Sequence, residues 1–140
     1  MSLMSRVLQI HERIYQGTDG RLGHHLIGVP TLLLRTTGRR TGATRTNALV
    51  YARDGDDYLV VASNGGSERP PAWLYNLKAD PQVEIQVGRR RQAGRARVIE
   101  ASEDDYARLW TIVNANNRDR YAAYQEQTSR PIPVVALSPS

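Results

Sequence analysis

Thirteen residues, Arg35 to Asn47 in the stretch RTTGRRTGATRTN, hold four arginines and two glycines among threonines. Arginine forks match the oxygens of a phosphate or carboxylate two at a time, and threonine hydroxyls and glycine-freed backbone N–H groups add donors. The pattern suits an anion cradle as well as it suits a solvated basic turn, and the loop by itself does not choose. A second cluster, ASNGG from Ala62 to Gly66, lets a flat ligand approach backbone closely and offers N–H groups to its polar edge. A flexible strand-to-helix loop would read the same way. Trp73, Tyr121 and Tyr124 supply faces that line a slot for a planar ring as readily as they pack a core.

Other chemistries lack their residues. No cysteine is present, which removes disulfides, thiolate metal ligands and thiol nucleophiles and suits a reducing cytoplasm. His24 and His25 are adjacent and His11 stands alone, so no histidine has a partner at ligand spacing and no metal site is expected. Gly38 and Gly42 are followed by no Gly-Lys-Ser/Thr, and no G-x-G-x-x-G joins a strand to a helix. Ser63 lacks the glycine-flanked turn of a hydrolase serine. Asp56-Asp57 and Asp104-Asp105 fall at a turn and a helix start, where acidic residues serve structure. The formal charge of +5 and pI near 10 favour anionic partners, without choosing among nucleic acid, phospholipid and a small phosphorylated or carboxylated molecule.

These residues need elements to position them. At 140 residues and 40% hydrophobic content the chain suits one domain over 1–140: an N-terminal helix and link (1–28), then a barrel with helices (31–140). Residues 4–16 carry Met4, Val7, Leu8, His11, Ile14 and Tyr15 at helical spacing. That helix covers the core or, through Arg6 and Arg13, touches an anionic membrane surface from the cytoplasmic side. No apolar run reaches the ~20 residues a bilayer span needs, and the charged N-terminus does not read as a secretory signal.

PTLLLRTT reads as a buried strand, and TNALVYARDGDDYLVVAS as two strands around Asp54-Gly55. Pro70 and Pro71 open a helix whose apolar face is Trp73, Leu74 and Leu77 and which Asp80-Pro81 ends. VEIQVGRRRQAGRARVIEA is a second hairpin, with Arg95 and Arg97 on a wet face. Ser102 and Asp105 predict a capping box before a helix carrying Tyr106, Leu109, Trp110 and Val113. DRYAAYQEQT is a further short helix, and IPVVALS a strand whose flanking prolines predict an edge. The expected fold is α+β: an antiparallel, six-stranded barrel with flanking helices.

Taken in order, TTGRRTGATRTN, RDGDDYLVVASNGG, PAWLYNLKADPQVEIQV and YQEQTSRPIPVVAL resemble the deazaflavin-dependent nitroreductase family. The likeness runs from about Leu32 onward, with the N-terminal helix matching more loosely. It implies a split β-barrel of the FMN-binding type and coenzyme F420, a deazaflavin whose tail carries a phosphate and a chain of glutamates. It also implies an F420-dependent oxidoreductase that passes a hydride from reduced cofactor to a quinone, conjugated enone or nitroaromatic. By the same match Arg39, Arg40, Thr41, Arg45 and Thr46 hold the tail, and Asn47 and Ala48 lead toward the ring. Val61, Ala62, Ser63, Asn64 and Gly65 run along the ring's edge, and Trp73 shapes the pocket wall. Ser63 orients the acceptor, while Tyr121 and Tyr124 close the substrate side, with Tyr124 as proton donor. Val50 and Arg118 fall where nitro-reducing members carry tyrosines, which puts nitroimidazole reduction in doubt.

Two other readings stand beside this one. An FMN-binding barrel of the same architecture would also use a phosphate-binding loop. A basic nucleic-acid-binding domain is suggested by the pI and Arg89-Arg90-Arg91, but the stacking aromatics it needs are not on that hairpin. No nucleic acid is expected as a partner.

Overall fold

Alternation decides which way the strands face. Tyr58 and Val60 point to one side and Leu59 and Val61 to the other, and all four are buried, so the strand they form is covered on both faces. In the computed structural model, which describes residues 29–140, the chain runs β1 (Thr31–Thr37), β2 (Thr44–Val50), β3 (Ala52–Asp54), β4 (Asp57–Val61) and a 3-10 turn at Asn64–Gly66. There follow α1 (Ala72–Ala79), β5 (Gln82–Val87), β6 (Arg90–Ile99), α2 (Tyr106–Asn116), α3 (Arg120–Glu126) and β7 (Val134–Pro139). The helix expected over residues 4–16, with the membrane contact attached to it, lies outside the described residues. Among the described residues no helix is long and apolar enough to cross a membrane.

Among the described residues seven antiparallel strands form one sheet in the order β2-β1-β5-β6-β7-β4-β3. β2 and β3 sit at opposite edges, yet only Tyr51 separates them in sequence. One residue cannot bridge an open sheet whose strands lie about 4.8 Å apart, so the sheet curls until its edges approach, giving a split barrel. The count of seven rather than six comes from this corner: the single strand expected through Tyr51 bends there and pairs with β1 on one side and β4 on the other. Tyr51 N–H donates to Pro30 O at 3.1 Å, and Tyr51 O accepts from Asn116 Nδ2 at 2.8 Å.

Two apolar clusters divide the residues. Leu32, Leu34, Val60, Ile85, Val135 and Leu137 fill the barrel with Trp73, Leu74 and Leu77 of α1. Leu59, Val61, Val134 and Ala136 face outward, where Leu109, Val113 and Tyr121 of the two later helices cover them. Two expectations are corrected. β7 lies inside the sheet between β6 and β4, because its prolines fall before the strand and at its last residue, where no ladder donor is lost. Ser102 and Asp105 form no capping box: α2 begins at Tyr106 without a side-chain cap, and Glu103 Oε2 instead accepts from Glu100 N–H at 2.7 Å.

Candidate active site

The basic loop is a closed hairpin tip. Gly38 N–H donates to Ala43 O at 2.7 Å and Gly42 N–H to Gly38 O at 2.8 Å. Gly42 has φ +73°, a conformation a side chain would strain. Buried Asn76 of α1 fastens the tip. Its Oδ1 accepts from Arg39 N–H and from Arg39 Nη1, both at 3.2 Å, and its Nδ2 donates to Thr36 Oγ1 at 3.3 Å. Arg39 also lies 5.1 Å over the Tyr75 ring, and Arg35 pairs with Glu84 at 3.0 Å. The guanidinium groups of Arg40 and Arg45, by contrast, meet no partner among the described residues.

These two arginines open onto a cleft of about 750 Å³, lined also by Thr41, Thr44, Thr46 and Asn47, by the first turn of α1 at Ala72 and Trp73, and by Asn76 a turn further on. No side chain of the described residues caps that first turn, so its N–H groups and the helix dipole add to the positive field. β2 then leads to a smaller cavity of about 90 Å³, of which Ala48, Leu49 and Val50 form one wall. As an edge strand among the described residues, β2 keeps one row of backbone groups free of strand pairing along the way.

The other walls are Val61, Ser63 and Gly65 after β4, and Asn117, Arg120, Tyr121 and Tyr124 around the start of α3. Burial pushes the Tyr121 hydroxyl up to about 12, while a hydrogen bond with Asn117 pulls the other way. Tyr121 therefore keeps its proton well beyond the neutral range. Tyr124 meets it edge-on, the ring centroids 6.4 Å apart. Behind the turn stands Arg130, which donates to the backbone carbonyls of Ala62, Ser63 and Ser67. Burial pulls its guanidinium below the usual value.

The expected residues thus divide between two linked hollows. Arg39, Arg40, Thr41, Arg45, Thr46, Asn47 and Trp73 line the cleft; Ala48, Val61, Ser63, Gly65, Tyr121 and Tyr124 line the cavity. Ala62 and Asn64 reach neither. Strand alternation turns Ala62 into the barrel interior, and the Asn64 amide is exposed and donates to Arg69 O at 2.9 Å. Val50 lines the cavity as expected, but the cation there is Arg120 and not Arg118. Sequence reasoning passed over Asn76, Asn117, Arg120 and Arg130. Asn76 carried a signal, being an amide between Trp73 and Leu77 on the apolar face of α1.

Residues 7–139 match the profile of the F420H(2)-dependent quinone reductase family. An F420H(2)-dependent quinone reductase of Mycobacterium tuberculosis is 55% identical over 134 residues, covering 95% of this chain and 90% of the relative. A solved F420-H2 dependent reductase is 34% identical with a TM-score of 0.69, covering 78% of this chain and 94% of that one. Another solved chain, described as a domain-swapped dimer, is 32% identical with a TM-score of 0.71 and covers 98% of this chain and 100% of its own. The split-barrel fold and these relatives place this chain among the F420-dependent reductases. Within that class the chain belongs to the F420H(2)-dependent quinone reductase family, whose reductant is reduced coenzyme F420.

Proposed function

We propose that the cleft holds the phosphate-and-glutamate tail of F420 and that the cavity receives the edge of its ring, beside an electron-poor acceptor that is foremost a quinone. The observation that carries this reading is the continuous β2 wall, which joins Arg40 and Arg45, without a partner among the described residues, to the phenol-lined cavity. The donor set fits the group: guanidinium, hydroxyl and uncapped helix N–H groups match a polyanion, and a cleft of about 750 Å³ is of the size cofactors occupy. The cavity, at about 90 Å³, admits one edge of a planar molecule, so the body of the ring lies along β2.

When bound, the reduced cofactor supplies a hydride equivalent from its C5 carbon. Arg40, Thr41 and Arg45 grip the tail, with Arg39 held beside them by Asn76. Ala48, Val61 and Gly65 are small or flat enough to let a ring approach the backbone, and they keep water from it. The buried Ser63 hydroxyl orients the acceptor's oxygen. A quinone that gains a hydride needs one proton, and Tyr124, half-buried at the cavity, supplies it while Tyr121 keeps its own. Conjugated enones fit the same arrangement. Nitroaromatics are poorer acceptors, since Val50 replaces an aromatic wall.

Fluorescence titration with oxidised F420 and then with FMN tests the reading, followed by turnover of reduced F420 with quinones, enones and nitroaromatics. Micromolar or tighter F420 binding and fastest turnover of a quinone are expected. Absence of F420 binding, or much tighter binding of FMN, overturns it.

A further inference from the structure

The turn after β4 is shaped from behind by one side chain. Ala62 O and Ser63 O accept from Arg130 Nη2 at 3.2 and 2.9 Å, and Ser67 O accepts from Arg130 Nε at 2.9 Å. Arg130 is held in its turn. Gln125 Nε2 donates to Arg130 O at 2.8 Å, and Gln125 Oε1 accepts from Ile132 N–H at 2.9 Å. Gly66 seats the turn on α3, for a Cβ there would lie 3.0 Å from Tyr124 O.

Across a planar trans peptide the C=O and N–H point in opposite directions, and no described peptide is cis. Tying the carbonyls of Ala62 and Ser63 to Arg130 therefore aims the N–H groups of Ser63 and Asn64 away from it. The backbone agrees. Ser63 is right-handed (φ −80°, ψ −32°), while Asn64 (φ 46°) and Gly65 (φ 64°) are left-handed. A right-then-left succession makes consecutive N–H groups converge on one concave spot that attracts negative charge. None of the N–H groups of Ser63, Asn64 and Gly65 finds an acceptor among the described residues. Ser63 and Gly65 line the smaller cavity.

We propose that Arg130 is a positioning residue which, by binding the carbonyls of Ala62 and Ser63, presents the N–H groups of residues 63–65 as a cradle for the carbonyl edge of a planar ring. The inference rests on the ring placement proposed above. Charge that builds on that edge during transfer is met by fixed donors, and such donors act on rate more than on binding. The arginine cleft carries the affinity.

Two variants separate this role from a merely structural one. Arg130→Met keeps the apolar stem and removes every donor; Arg130→Lys keeps the charge and a single donating group. Each is measured for thermal midpoint, for fluorescence affinity and bound-state absorption with oxidised F420, and for kcat and KM with reduced F420 and menadione. In the folded Arg130→Met protein, kcat falls about tenfold or more, affinity changes less than about threefold, and the absorption shift of bound F420 shrinks. Arg130→Lys recovers part of the rate and of the shift. An unchanged kcat and absorption shift in folded Arg130→Met overturns the proposal. So does a parallel loss of affinity, rate and cooperative melting in both variants, which would make Arg130 only a structural brace. If the unaltered protein neither binds F420 nor reduces menadione, the ring placement fails first; if it does both and the variants match it, only the role of Arg130 fails.

Discussion

The cleft and the cavity are neighbours along β2, but they are built from opposite materials. The cleft is a rim of exposed arginines and threonines around an uncapped helix start, and charge does its work. The cavity is walled by part-buried β2, the turn after β4 and the Tyr121 and Tyr124 phenols beside Arg120, and hydrogen bonds from Arg130 and with Asn117 brace it. Exposed charges give affinity that salt erodes. Fixed donors in a sheltered place give rate, because they are already oriented when charge develops. If the cleft tethers the cofactor and the cavity hosts the chemistry, as proposed, the two are separable: damage to one should leave the other largely intact.

The sharpest way to break that separation is Arg40→Ala with Arg45→Ala. Each hydrogen bond to a charged group contributes roughly 1.5–3 kcal/mol, so F420 affinity should fall about a hundredfold at low salt, allowing for solvent exposure. The deficit should contract to about tenfold at half-molar salt, where the Debye length is only about 4 Å. At saturating cofactor kcat should hold within about twofold. A large fall in kcat, or a deficit indifferent to salt, would show that the cleft is not merely a tether.

Asn76→Ala strikes the same cleft from below. It removes the Oδ1 that holds both Arg39 donors and the Nδ2 that satisfies Thr36. Leaving buried polar groups unpartnered costs about 1–3 kcal/mol of stability, visible in urea midpoints, and F420 affinity should fall about fivefold to tenfold as the loop loosens. Stability lost without any change in affinity would mean that the tip keeps its shape unaided.

The same contrast explains what could be read from the sequence. The cleft was legible because residue types make it: arginines and glycines crowd one turn, and Arg39, Arg40, Thr41 and Arg45 all line it. So were β4, as a continuous apolar run, and β5, by its alternation. The cavity was legible only in part, because backbone direction builds it. Ala62 looked like a ring contact, yet a period of two sends it into the barrel while Val61 and Ser63 face the cavity. Arg130 and Asn117 act on carbonyls and a hydroxyl that come together only after folding. The corner at Tyr51 escaped notice because an unbroken apolar run gives no sign of bending; its cause is tertiary, in Pro30 and Asn116.

A milder change probes the cavity. Ser63→Ala removes a buried hydroxyl at the mouth of the ring site without touching the carbonyls held by Arg130. Losing one oriented hydrogen bond of about 1 kcal/mol should lower kcat with menadione roughly fivefold and leave F420 affinity unchanged. Equal losses in kcat and affinity would place the hydroxyl against the cofactor and not the acceptor.

Alkali should divide the molecule as salt does, but on the other side. Burial pushes both Tyr121 and Tyr106 up to about 12, against about 10 in an unfolded chain. Both belong to the helices that cover the cavity face, and Tyr106 Oη donates to Ile132 O at 2.5 Å. In the folded state each phenol keeps its proton where the unfolded chain has lost it. Their stabilising contribution is therefore complete below about pH 10 and is lost as pH rises through about 12. Urea midpoints should accordingly fall between pH 9.5 and 11.5, with Tyr51, whose hydroxyl is also raised by burial, adding a share. Tyr106→Phe should cost about 1 kcal/mol at neutral pH for the lost hydrogen bond, and its midpoints should fall less steeply with alkali because one proton fewer is released on unfolding. The alkaline slope of Tyr106→Phe is the quantity to compare with the unaltered protein. Identical slopes would mean that Tyr106 loses its proton as easily folded as unfolded, and the packing of α2 against Ile132 would then be wetter than it looks.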